Sequence, residues 1–369
     1  MRARLHRTTP PAARSALVRG LVMFSVGLPA TAAGIGIGVR HLLKAGWSLA
    51  AVAGLICLLG GLLLVTAGFA ALIRATPGWW RLLTAPALVL AALAVTWSTS
   101  MALAATVVPA TRLGAATPAD RGLGFEDAAF TTADGARLSG WYVPTANGAA
   151  VVLLHGAGST RSAVLDHAVV LARHGYGVLL FDARGHGRST GRAMDFGWYG
   201  DADITAAVTY LTTRPGVDGA RIAALGLSMG GEEAIGAAAA DRRIRAVVAE
   251  GATNRTAADK EYLADAYGWR GRLQQRLDRV TYGVTDLLTA ASPPMTLRAA
   301  ATAIAPRPVL LIAAGNVPDE AHAAVHIRTG SPGTVRIWHA ANAGHTRALA
   351  THPQDWEQRV SAFLAESIG

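Results

Sequence analysis

Apolar positions along this chain follow two different patterns. Up to residue 111 they form three nearly unbroken runs, at 20–39, 45–73 and 82–111, in which no polar stripe recurs at helical spacing. The short breaks between the runs carry Arg40, His41 and Lys44, then Arg74 and Arg81. Each run reaches the roughly 20 residues that a helix needs to cross a hydrocarbon core about 30 Å thick. A surface helix of a soluble bundle needs a polar face, which these runs lack, so they read as membrane spans. The first run has a second reading. Its small residues, basic leader and Ala30-Thr31-Ala32-Ala33 stretch also have the layout of a signal peptide with a cleavage site, although the two spans that follow favour a retained helix.

After a junction at 109–124 bearing Pro, Ala, Thr and Gly, short apolar runs alternate with helical periodicity. Residues 130–144 predict a hairpin with Asp134-Gly135 as its turn. Strands are predicted at 149–154, 177–181, 221–227, 244–249, 308–313 and 334–338, with helices at 162–174, 199–213, 320–328 and 354–366 and a small-residue helix running to about 240 after the segment at 226–231. This alternation predicts an α/β domain over 116–369 with a doubly wound, mostly parallel sheet, preceded by a membrane segment of about three transmembrane helices over 1–115. Ligands of such sheets bind beyond the carboxyl ends of the strands. Residues 253–300 are polar and helix-forming with no strand pattern, and form either a cap over the site or a surface excursion.

Charge sharpens the division. The chain carries a formal net charge of +10, yet residues 1–115 hold ten Lys/Arg and no acid, while 116–369 hold 24 of each sign. Basic residues placed at the ends of apolar runs leave none for a nucleic-acid-binding face, so the partner they imply is the lipid bilayer. Basic residues are retained on the cytoplasmic side of a membrane. Arg2, Arg4, Arg7, Arg14 and Arg19 then share a side with Arg74 and Arg81, opposite Arg40, Lys44, Arg112 and Arg121, and three spans place the C-terminal domain outside the cytoplasm. Cys57 is the single cysteine and lies inside an apolar run, which excludes an intramolecular disulfide and argues against thiol catalysis. No metal-spaced cluster of His, Cys or Asp occurs, and no cofactor is implied. Nothing in the pattern fixes an oligomeric state.

Candidate chemistry gathers at the strand ends. Gly226-Leu227-Ser228-Met229-Gly230 lies between a predicted strand and a predicted helix, as a nucleophile elbow requires, with glycines two residues either side keeping the tight turn clear. The Met229 N–H then points at the oxyanion position. A serine hydroxyl needs a base within hydrogen-bond reach, and His345, just after the last strand, is the candidate. The acid that orients the imidazole is Asp319 or Glu320, beyond the strand at 308–313, with Glu250 a third candidate. His155-Gly156-Ala157-Gly158, after the strand at 149–154, suits a second oxyanion donor, assigned to the Ala157 N–H.

Four segments in order, His-Gly-Ala-Gly at 155–158, Asp-Ala-Arg-Gly-His-Gly-Arg-Ser at 182–189, Gly-Leu-Ser-Met-Gly-Gly at 226–231 and Ala-Gly-His-Thr at 343–346, resemble the α/β-hydrolase superfamily over about 250 residues. The likeness is to bacterial esterases and acyl-peptidase-like serine hydrolases. It implies the α/β-hydrolase fold, the roles given above for Ser228, His345, Ala157 and Met229, and a chiefly structural part for Asp182, Arg184 and His186. The acid departs from the pattern, since members often show Gly-x-x-Asp whereas here the carboxylates lie four and five residues beyond Gly315. The expected substrate is a small ester or other acyl compound, with thioesters, amides and peptides open. An acyltransferase using the same triad and a silent membrane-tethered binding protein are the alternatives.

Overall fold

A computed structural model describes residues 11–369; Arg2, Arg4 and Arg7 of the basic leader lie outside the described residues. The chain divides into two compact units. One ends at Pro109 and includes Gly283–Leu288, and the other comprises Ala110–Tyr282 and Thr289–Gly369.

The first unit is helical, with α1 (Pro11–Ala33), α2 (Arg40–Ala45), α3 (Leu49–Ala75) and α4 (Arg81–Thr106). A π-helical stretch, Gly34–Val39, joins α1 to α2. The first helix therefore runs on through Arg40, His41 and Lys44, where the sequence suggests a break. Basic residues are good helix formers, and the stop comes at Gly46, whose φ of 76° is left-handed, before Ser48 caps α3 by accepting the Ala51 N–H. Three segments, Ser15–Ala45, Leu49–Ala75 and Gly78–Thr106, are long and apolar enough to cross a membrane. At 1.5 Å per residue even the shortest extends about 40 Å, beyond the roughly 30 Å of a hydrocarbon core. Small residues form the seam between helices: a Cβ on Gly38 would lie 2.6 Å from the carbonyl carbon of Gly54, and one on Gly27 would lie 2.7 Å from the Val65 nitrogen. Such close backbone approach suits packing in an apolar medium.

The second unit holds an eight-stranded sheet in the order β1-β2-β4-β3-β5-β6-β7-β8. The strands are β1 (Glu126–Thr131), β2 (Arg137–Val143), β3 (Ala150–Leu154), β4 (Gly177–Phe181), β5 (Ile222–Leu227), β6 (Ile244–Glu250), β7 (Val309–Ala314) and β8 (Val335–Ala340). The β1–β2 hairpin is antiparallel and β2 is antiparallel to β4, while every pairing from β4 onward is parallel. Helices α5 (Leu165–Arg173), α6 (Gly200–Thr212), α7 (Met229–Ala240), α8 (Leu263–Leu288, which belongs to this unit as far as Tyr282), α9 (Leu297–Ile304), α10 (Pro318–Arg328), α11 (Ala348–Thr351) and α12 (Pro353–Ile368) complete it.

Alternate residues of the buried strands feed opposite faces, the period-2 rule at work. Val152 and Leu154 of β3 pack with α6, α7 and α9, while Val151 and Leu153 pack with α5 and α12. The chain passes from β3 to its neighbour β4 on one side and then crosses back past β3 to β5 on the other, which opens a crevice at the carboxyl ends of β3 and β5. Helix α9 is not among the elements expected from sequence, although Leu297, Ala300, Ala301 and Ile304 all face the core at helical spacing and Thr296 caps them. The unit starts at Ala110, because the Thr111 carbonyl accepts the Gly187 N–H at 2.9 Å and ties the junction to the loop after β4.

Candidate active site

Strand β5 delivers the chain to Ser228 at φ 54° and ψ −123°, a region that non-glycine residues rarely occupy, and α7 begins at the next residue. The surrounding glycines allow this turn. A Cβ on Gly226 would run into the backbone of Gly230, and one on Gly230 would lie 2.6 Å from the His155 carbonyl oxygen. The elbow is anchored by Ser228 N–H donating to the Glu250 carbonyl at 2.7 Å and by the Ser228 carbonyl accepting from Gly231 and Glu232.

The loop after β8 brings His345 to this serine. The imidazole Nε2 stands 2.9 Å from Ser228 Oγ, and Nδ1 stands 2.7 Å from Glu320 Oε1. Glu320 is buried, and its other oxygen accepts the Ala314 N–H at 2.8 Å. An ionised Glu320 requires the proton on Nδ1 and leaves Nε2 free to accept from the serine hydroxyl. The hydrogen bond that His345 donates to Glu320 raises its pKa above the ordinary value, against the opposing effect of burial. Gly251 makes room for the ring, since a Cβ there would lie 2.9 Å from His345 Cε1.

Of the three candidate acids, only Glu320 bonds to His345. Asp319, next along the same helical turn, accepts a hydrogen bond from the Tyr267 hydroxyl on α8. Consecutive helical positions diverge by about 100°, so the two carboxylates cannot serve one imidazole. Glu250 is also buried, but it accepts from Ala348 N–H at 2.8 Å and Trp356 Nε1 at 3.1 Å, and so pins the segment that follows His345. Burial raises its carboxyl above the usual range.

The proposed oxyanion donors are the residue after the serine and one that lines its cavity. Met229 is the buried first residue of α7. Ala157 lines a cavity of about 760 Å³ together with Gly156, Leu227, Ser228 and His345. His155 holds the Ala157 loop: its Nε2 accepts the Ala183 N–H at 2.9 Å and its Nδ1 donates to the Gly156 carbonyl at 2.8 Å. Burial keeps the ring neutral, with its pKa pushed down to about 3. The sequence offered this residue only as the first letter of a glycine-rich turn; a histidine entering a buried strand end is the signal that could have marked its part. Asp182 accepts from Arg161, both backbone and guanidinium, and from Arg188 N–H, so the β4 loop is clamped by a buried ion pair.

The insert at 253–300 is rooted beside the nucleophile helix, where Glu232 accepts the Thr253 and Asn254 N–H groups at 2.9 Å each. None of its residues lines the cavity holding Ser228, whose walls come from Arg121, α5 and the segment leading into it, the β3 and β5 ends and 345–353. Of the two readings open for this insert, a cap or a surface excursion, that lining fits the excursion.

A doubly wound sheet with this strand order and a serine elbow at the end of β5 is the α/β-hydrolase fold, which the chain shares with solved esterases. Within it, residues 145–291 match the family model Hydrolase_4, described as serine aminopeptidase, S33. Among curated proteins, the chain is 38% identical over 128 residues to thiohydrolase aneE of Aspergillus aculeatus, covering 34% of this chain and 40% of that protein. It is 37% identical over 134 residues to polyketide transferase grgF of a Penicillium species, covering 33% and 43%. The chain thus spans about two fifths of the length of these curated relatives. Among solved structures, the Pyrococcus furiosus esterase Pf2001 superposes with a TM-score of 0.55 at 26% identity, covering 70% of this chain and 96% of that one.

Proposed function

We propose that the protein is a membrane-anchored serine hydrolase that cleaves an ester, or a related thioester or amide, through an acyl-enzyme on Ser228. The observation that carries this reading is the continuous hydrogen-bond chain from Ser228 Oγ through His345 to buried Glu320 at a strained strand-to-helix turn. Ser228 Oγ attacks the acyl carbonyl while its proton passes to His345 Nε2, giving a tetrahedral oxyanion held by the Met229 and Ala157 amides. Collapse of this intermediate breaks the bond to the leaving group, which takes the proton from His345. Water, deprotonated by the same imidazole, then adds to the acyl-enzyme and releases the acid and free Ser228. Glu320 holds the imidazole through its Nδ1–H and stabilises the imidazolium.

The three apolar helices anchor the enzyme as a multi-pass protein, with the hydrolase unit on the extracytoplasmic side according to the placement of basic residues. Turnover of a p-nitrophenyl ester by the full chain tests the chemistry. A burst of nitrophenol matching the enzyme concentration, with the acyl mass found on the peptide containing Ser228, supports the reading; steady turnover without any acylated serine contradicts it. The matched polyketide transferase favours a second outcome of the same intermediate, transfer to an alcohol. Product analysis with and without an added alcohol separates the two, since a transferase yields the new ester at the expense of the free acid.

A further inference from the structure

Large apolar side chains are well hidden in the hydrolase unit, with one exception. Among residues 110–369, every strongly exposed one except Val325 lies between Tyr267 and Met295, inside the insert. Helix α8 supplies most of them. Gly268 breaks its helical geometry with φ 58°, and a straight helix starts afresh at Trp269. From there Trp269, Leu273 and Val280 are 65%, 50% and 50% exposed. At about 100° per residue these three, with Arg276, fall within an arc of about 60°. Exposed Arg272 and Arg279 flank the arc on one side and exposed Arg270 on the other. The acid of this stretch, Asp278, points the opposite way, buried and paired with Lys260. A helix that leaves a tryptophan and aliphatic stripe in the open between arginines is built for a surface that is apolar below and negatively charged above.

We infer that the outer face of α8, from Trp269 to Val280, lies in the interface of an anionic lipid bilayer, with Trp269, Leu273 and Val280 among the upper acyl chains and Arg270, Arg272, Arg276 and Arg279 at the lipid phosphates. The inference rests on the membrane-anchored reading above, which supplies the bilayer. Charge complementarity selects the partner: four arginines without an outward acid from Trp269 to Val280 fit phosphate headgroups, and an aromatic beside aliphatic residues fits the boundary beneath them. The consequence for function is a hydrolase unit that engages the lipid surface directly and is held to it at a second point besides its anchor.

The test uses the full chain reconstituted in phosphatidylcholine vesicles with or without phosphatidylglycerol, carrying an environment-sensitive thiol dye. The native Cys57, exposed on α3, reports the anchor. Leu273→Cys in a Cys57→Ser background reports α8. Spin labels placed on lipid headgroups or midway down the acyl chains quench the dye according to depth. The expected result is mid-chain quenching at Cys57 and shallow quenching at Leu273→Cys that strengthens with phosphatidylglycerol. Each arginine of α8 replaced by glutamine then weakens the docking about fivefold. Quenching at Cys57 with a water-like, unquenched dye at Leu273→Cys would overturn the inference while leaving the anchor intact. No quenching at Cys57 would instead sink the anchor and the inference with it. A dye at Leu273→Cys shielded from water but insensitive to every lipid label, and freed by dilution in detergent, would overturn the inference in favour of a second copy on this face.

Discussion

In the helical unit Leu59, Leu63, Leu90 and Leu93 stand outward, each more than 60% exposed, while Gly34, Gly38, Gly54 and Gly61 are buried. In the hydrolase unit the same residue type sits inside: Leu153, Leu179, Leu180 and Leu225 are fully buried, and glycines serve turns and close approaches at the elbow. Under the membrane-anchored reading proposed above, the difference follows from what surrounds each unit. Water drives large apolar groups inward, whereas in lipid nothing is gained by hiding leucine, and helices associate through small residues that bring backbones together. Helix α8 borrows the first pattern within the second unit, which is why its exposed Trp269 and Leu273 stand out.

Substitutions in one unit should therefore leave the other undisturbed, and the comparison breaks wherever one does not. The largest effect is expected at the elbow. Ser228→Ala should lower kcat for a p-nitrophenyl ester on the order of 10⁴- to 10⁶-fold, with the protease-resistant fragments of both units unchanged. Glu320→Gln comes next, at roughly 10³- to 10⁴-fold in kcat. It should also move the pH profile. Catalysis needs neutral His345, so kcat/KM falls as pH drops through the His345 pKa, which Glu320 holds above the ordinary value of about 6.5. Without the carboxylate that acid limb shifts to lower pH. Asp319→Asn, bonded to Tyr267 instead, should leave the limb in place.

Much of this contrast is legible in the sequence, and what is not has local physical causes. The unbroken runs and the strand-helix alternation carry both units, and the motif at 226–230 with His345 after the last strand carries the serine and its base. The choice between Asp319 and Glu320 depends on the phase of α10, which Pro318 starts. Ala323, Ala324 and Ile327 are its buried face, and Glu320 lies three, four and seven residues before them, so the apolar spacing already points Glu320 inward. The insert is a different case. Its helical pattern is readable, but whether it covers Ser228 depends on how Glu232 and Arg255 root it, through Thr253, Asn254 and Asp201, and no local pattern encodes that.

Smaller effects sharpen the comparison further. Glu250→Gln turns an amide N–H₂ toward either Ala348 N–H or Trp356 Nε1, so it should destabilise the hydrolase unit by about 1–3 kcal/mol, read as a lower urea midpoint. Gly38→Leu forces a side chain against the Gly54 backbone and should loosen the helical unit by about 1–3 kcal/mol, read as faster proteolysis within residues 15–106. Its effect on kcat with a soluble ester should stay within about twofold, as sites without shared partners in separate compact units act independently.

The central claim is an activated serine, and a fluorophosphonate probe reads it most directly, because only a serine made nucleophilic by its neighbours displaces fluoride and retains the label. Full-length protein in membranes should be labelled on Ser228, with labelling lost in Ser228→Ala and in His345→Ala. Folded wild-type protein that takes up no label, or label that persists in Ser228→Ala, would contradict the account.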